Sequence, residues 1–214
     1  MDEDISIIDT NTRNEKIKNF FVKNKKNIIG IFLTLIIIII GYYSLEKIKE
    51  KNKIKSANQY NLTIMNFDND NKEITIKKLI NLVKERDATY SPLALYFLID
   101  NNLIDNKNDL NILFDELIDK TNFDNEIKNL IIYKKALFNA EFESENNLLN
   151  ILQPLINSNS IWESHALYLL AEYFYSNNEK QKAKEFFNKI LILENSNSDI
   201  KTETQKRLNR DFGE

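Results

Sequence analysis

Ile28–Leu45, reading IIGIFLTLIIIIIGYYSL, contains no charged residue, and no other feature limits the fold as strongly. As a helix these 18 residues extend roughly 27 Å at ~1.5 Å per residue, close to the ~30 Å of a bilayer's hydrocarbon core. Each Ile and Leu favours insertion. A buried helix of a soluble protein needs a polar stripe unless it lies at the centre of a large protein, and this run has none. A cleaved signal peptide fits poorly: 27 residues precede the run, and no small-x-small site follows it. Tyr42 and Tyr43 fall where an interfacial aromatic belt is expected, with Phe20 and Phe21 near the opposite interface.

Charge is divided around this span. Residues 1–56 carry 11 Lys and Arg against 7 Asp and Glu, a net +4, whereas residues 57–214 carry 18 against 25, a net −7. The basic part brackets the apolar run, where it can meet anionic head groups. The acidic remainder argues against nucleic-acid binding, which needs a basic face to neutralise phosphates. Six cations near the span on its N-terminal side face five on the other, and Glu46 and Glu50 dilute the latter. By the positive-inside rule this favours an inward N-terminus.

Beyond the span, the charged stretch 46–60 is expected to continue the helix as a stalk. Apolar residues then recur at three- and four-residue spacing, which is helical. Only three Gly and two Pro are present, too few for the tight turns of an all-β fold. Helices are expected near 55–67, 73–86, 91–103, 108–119, 125–142, 145–157, 162–177, 179–194 and 199–210. Polar breaks such as Asn157-Ser158-Asn159-Ser160 and Asn195-Ser196-Asn197-Ser198 separate them.

These helices read as pairs. Ala94-Leu95-Tyr96-Phe97-Leu98 recurs as Ala166-Leu167-Tyr168-Leu169-Leu170, an offset of 72 residues or twice 36, with Ile131-Ile132-Tyr133 near the midpoint. That period belongs to helix-turn-helix solenoids. The last pair follows the tetratricopeptide pattern, with Leu167, Leu170, Ala171 and Phe174 on its first helix and Ala183 and Phe187 on its second. Small residues let the helices approach and the phenylalanines fill the space between layers. The middle pair is weaker, because Lys135 disturbs its register and Pro154 interrupts its second helix. The segment 199–210 reads as a polar cap. The fold class expected is therefore all-α: one transmembrane helix followed by a tetratricopeptide-like helical-hairpin superhelix. Its parts are a basic tail 1–27, the span 28–45, the stalk 46–60 and a repeat domain 61–214.

No catalytic, cofactor-binding or metal-binding residues are assigned. Cys is absent, His165 is the single His and is expected on the surface, and three Gly cannot build a phosphate loop. A carboxylate-dependent membrane-bound hydrolase stays as the alternative from another class. Trp162 is expected to pack at a helix start or at an interface. First helices of stacked pairs line a concave face. The outward positions are Tyr96, Asp100, Tyr133, His165, Tyr168, Glu172 and Tyr175. The tyrosines either form an aromatic ladder for a peptide or helix, or pack between helices.

Three stretches carry a resemblance across nearly the whole chain. They are Lys18–Lys26 leading into the span with Ser56-Ala57-Asn58-Gln59-Tyr60 after it, Ala88-Thr89-Tyr90-Ser91-Pro92-Leu93-Ala94, and Ile161-Trp162-Glu163 through Lys184. In these the chain resembles the ancillary SecYEG translocon subunits of the YfgM type. The resemblance implies an inner-membrane, single-pass protein with a cytoplasmic N-terminus and a periplasmic repeat domain. It implies Sec translocon subunits and periplasmic chaperones as partners, in the handling of secretory polypeptides, and it brings no catalytic motif, so no enzyme is expected. A membrane-tethered scaffold for another envelope complex is the runner-up.

Overall fold

The computed structural model describes residues 3–213, so the first two residues of the expected tail and Glu214 of the expected repeat domain lie outside it. The chain divides into two compact units, Met1–Lys55 and Ser56–Glu214. All regular elements among the described residues are helical.

The first unit contains α1 (Glu3–Lys23) and most of α2 (Lys25–Met65). Helix α1 occupies the expected basic tail, where no Gly or Pro before Gly30 interrupts it. Helix α2 runs without a break through the apolar span, the stalk and the segment expected to begin a new helix near residue 55. No Gly or Pro lies between Gly41 and Pro92, so nothing stops it sooner. Its apolar window has a mean hydropathy of 2.5, and the protein covers none of it. It is the one helix among the described residues long and apolar enough to cross a membrane.

The second unit begins with the end of α2 and a turn of 3-10 helix at Asn69–Asn71. Then come α3 (Lys72–Lys84), α4 (Tyr90–Asp100), α5 (Lys107–Lys120), α6 (Asn125–Asn139), α7 (Glu145–Leu152), α8 (Trp162–Ser176), α9 (Lys180–Ile192) and α10 (Ser198–Phe212). Helix α8 packs most extensively on α9, and α3 on α4. Helix α6 touches α5, α7 and α8, while α10 lies against α8 and α9. The first hairpin is thus α3–α4, so the helix carrying Tyr96 is the second of its pair and not, as its match to the helix carrying Tyr168 implied, the first. Ser91 explains this: its hydroxyl donates to the Leu82 carbonyl at 2.6 Å and ties the two helices at their joint.

Asparagine does the work that Gly does elsewhere. Asn102 and Asn178 follow α4 and α8 with φ of 49° and 63°, in the left-handed region. The Leu103 N–H donates to the Leu98 carbonyl and the Asn102 N–H to Ile99; Glu179 and Asn178 bond Phe174 and Tyr175 in the same way. These are Schellman closures, which satisfy the last carbonyls of a helix. At helix starts, the side chains of Asn106, Ser144 and Asn197 accept backbone N–H bonds. Helix α7 stops at Leu152, short of the expected 157, because Pro154 has no N–H to give.

Two apolar clusters fill the unit. One gathers Leu79, Leu82 and Val83 of α3, Ala94, Leu95 and Leu98 of α4, and Leu113, Phe114 and Leu117 of α5. The other gathers α7 to α10, including Leu170, Ala171, Phe174, Ala183, Phe187 and Leu208. All six residues expected in the core of the last pair are buried. Phe174 stacks on Phe186 with centroids 5.3 Å apart. The clusters meet on α6, where Ile131 belongs to the first and its neighbour Ile132 to the second.

Candidate functional site

The seven residues expected to face a partner fall into three groups. Helix α4 carries Tyr96 and Asp100. The Tyr96 hydroxyl is buried without a hydrogen-bond partner, burial pushes its pKa up to about 12, and the Lys134 ammonium lies 5.8 Å from its ring centroid. Asp100 is exposed one turn further on.

The second group forms where α6 meets α8. Tyr133 stacks on Trp162 at 5.6 Å between centroids, and His165 lies tilted against Trp162 at 5.0 Å and meets Tyr133 edge-on at 5.7 Å. His165 is half-buried in this cluster, not on the open surface expected for it, and its Nδ1 lies 3.0 Å from the Ile161 carbonyl oxygen. Position 165 is in the first turn of α8, so its ring reaches back over the helix start, where Trp162 sits.

The third group faces α10. Glu172 accepts two bonds from Arg207, Nε to Oε1 and Nη2 to Oε2, both 2.7 Å. Arg207 also pairs with Asp211, and its guanidinium carbon lies 4.6 Å from the Tyr175 centroid. Tyr175 and Phe212 meet at 5.8 Å. Tyr168 packs on Phe187, and burial followed by the Glu172 carboxylate raises its pKa to about 12. Tyr96, Tyr133 and Tyr168 do not stack on one another: each sits at a different helix junction.

Several polar residues that order the unit were not singled out from the sequence. The buried Glu163 carboxylate accepts the backbone N–H of Asn157 at 3.0 Å and of Asn159 at 3.1 Å, holding the loop before α8. Both asparagines have positive φ, so Glu163 fixes a turn few residues could make. Its position just inside a helix start after an Asn/Ser run is the only signal the sequence offers. Asn111 and Asn139 exchange two amide bonds of 2.8 Å between α5 and α6, and Asn139 is fully buried. Lys135, expected to disturb this helix, reaches Asp115 of α5 instead.

Two of the open grooves in the second unit have partly apolar walls. One, about 450 Å³, runs between α3 and α5 and is lined by Ile76, Ile80, Leu103, Ile104 and Ile112 with Asp109 at its edge. The other, about 550 Å³, lies at the start of α8 and the end of α9, with Glu163, Leu167, Lys189 and Leu193 in its walls. Among the described residues no three His, Cys, Asp or Glu side chains gather as a metal-holding group.

No protein-family model, curated protein or solved structure matches the chain.

Proposed function

We propose that this protein is a membrane-anchored adaptor that works by binding other proteins and not by catalysis. The observation that carries the reading is one chain joining an uncovered apolar helix to a domain of stacked helix hairpins. An uncovered helix of this length and hydropathy is stable in lipid. Stacked hairpins give an extended surface, the usual use of which is recognition of another chain.

In its narrower form, the adaptor serves the Sec translocon and periplasmic chaperones, with the N-terminus in the cytoplasm and residues 61–214 in the periplasm. What supports this form is the resemblance of Lys18–Lys26, Ala88–Ala94 and Ile161–Lys184 to ancillary translocon subunits, together with the cation excess before the span. Of the seven candidates Tyr96, Asp100, Tyr133, His165, Tyr168, Glu172 and Tyr175, Asp100 is the exposed one, and the other six are half-buried at helix junctions and would offer a partner only their accessible edges.

Affinity purification of the full chain in mild detergent tests the partner. Translocon subunits should copurify, and their reproducible absence ends the narrower form while leaving a scaffold for another envelope complex. Protease added to spheroplasts tests the side: residues 61–214 should be digested from outside. Survival until the membrane is breached would reverse the orientation.

A further inference from the structure

Helix α1 presents an apolar stripe whose only continuation is the membrane helix itself. Phe20 and Phe21 lie three and four residues after Ile17, Asn24 three and four after them, and Ile28 four after Asn24, so these residues share one face that runs from α1 into α2. Ile17, Phe20 and Phe21 are 49, 60 and 55% exposed. Lys16 and Lys23 border the stripe on one side and Lys18 and Lys25 on the other, each about 100° around the helix from its centre. Residues 13–27 hold six cations against one acid, a net +5.

We propose that Arg13–Lys26 is a second membrane contact, lying along an anionic leaflet with Ile17, Phe20 and Phe21 in the lipid and the flanking lysines on acidic head groups. Two features select this occupant. The first is charge: long lysine stems on both borders of an apolar stripe reach up to a head-group plane while the stripe stays below it. Each Lys near a surface rich in acidic lipid adds to the attraction. The second is continuity, because the stripe and the span are one chain with one residue between their helices. If the two helices stayed collinear, Phe20 would lie about 12 Å along the axis from Ile28, outside a head-group zone of about 5–8 Å. The stripe reaches lipid when the chain turns at Asn24, the residue between α1 and α2. There the Asn24 amide side chain and backbone N–H both donate to the Phe20 carbonyl, each at 3.0 Å. A side chain that competes for a helix carbonyl is a common site of bending.

The proposal rests on reading α2 as the anchor, and one experiment separates the two. The chain has no Cys, so Phe21→Cys and Ile37→Cys each give a single labelling site in the full-length protein. Each variant carries an environment-sensitive fluorophore and is reconstituted into vesicles of phosphatidylcholine alone or with phosphatidylglycerol. Acrylamide, a neutral quencher, reports water access. The position-37 label should be shielded in both vesicles. The position-21 label should be shielded several-fold better with phosphatidylglycerol, and the gain should vanish in high salt or when Lys16, Lys18, Lys23, Lys25 and Lys26 are all changed to Gln. Equal quenching of the position-21 label in both vesicles, whether strong or weak, overturns the proposal while the anchor stands. Strong quenching at position 37 overturns the anchor, and the proposal with it.

Discussion

Tyr168 sits with its hydroxyl beside the Glu172 carboxylate and its ring on Phe187, and both burial and the neighbouring negative charge favour its neutral form. Its pKa rises from 10.0 to about 12, and burial alone moves Tyr96 as far. A folded-state pKa above the unfolded one means folding favours the protonated group. Its contribution to stability is therefore complete below pH 10 and lost as pH climbs through about 12. In a spectrophotometric titration, two tyrosines should ionise late, near pH 12, and Tyr168→Phe should remove one of them. Glu163 poses a different test. Its two carboxylate oxygens each accept a backbone N–H, and Gln offers only one acceptor in the same shape. Glu163→Gln should turn a buried amide N–H toward one of the two backbone donors and cost about 1–3 kcal/mol in denaturant unfolding, whereas a change at exposed Asp100 should have little effect.

At the scale of elements, the ends of α4 and α8 depend on a backbone that L-residues seldom adopt. Asn178 at φ 63° closes α8 and hands the chain straight to α9. Asn178→Gly should be nearly neutral, because Gly enters this region freely. Asn178→Val should cost about 1–2 kcal/mol, since a β-branched side chain meets the next carbonyl, and thermal unfolding of the two variants measures the difference. Helix type and most breaks were legible in the sequence because apolar spacing and Asn/Ser runs are local signals. The core of α8 and α9 was legible too, since Ala171, Ala183, Phe174 and Phe187 can serve that packing only from inside. What could not be read was which faces meet across distance. Tyr168, Glu172 and Tyr175 look outward on an isolated hairpin, and only the return of α10 sets Arg207 and Phe212 against them. Likewise His165 joins Tyr133 and Trp162 because α6 and α8 are neighbours, which no local pattern announces. The continuation of the span into the stalk was legible, but the new helix expected near residue 55 is the same α2, because nothing between Leu45 and Met65 breaks a helix.

The repeat unit as a whole holds two apolar clusters that share one helix, and this arrangement governs how it should come apart. In stacked hairpins each layer stabilises its neighbours, so damage spreads by contact and fades with distance. Leu208 of α10 is fully buried in the C-terminal cluster, with Phe187 and Ile190 of α9 in the same group. Leu79 of α3 is fully buried in the other cluster. Removing either side chain to Ala leaves a cavity costing about 2–5 kcal/mol. Coupling between the two halves runs through α6, where Ile131 and Ile132 belong to different clusters, through the partly buried Ile118 of α5, which packs against both, and through the part-buried Asn111–Asn139 amide pair that fixes α6 on α5. Polar pairs of this kind fix orientation but add little apolar contact, so they should carry a local opening poorly. Native-state hydrogen exchange on Leu208→Ala should therefore show lost protection in α8, α9 and α10 with α3 and α4 nearly unchanged, and Leu79→Ala should show the reverse. Equal loss in both halves from either substitution would mean that α6 transmits opening fully and that the clusters act as one cooperative core. A partner docked over one half would then stabilise the other by the same route, while with weak coupling each half answers only to its own contacts.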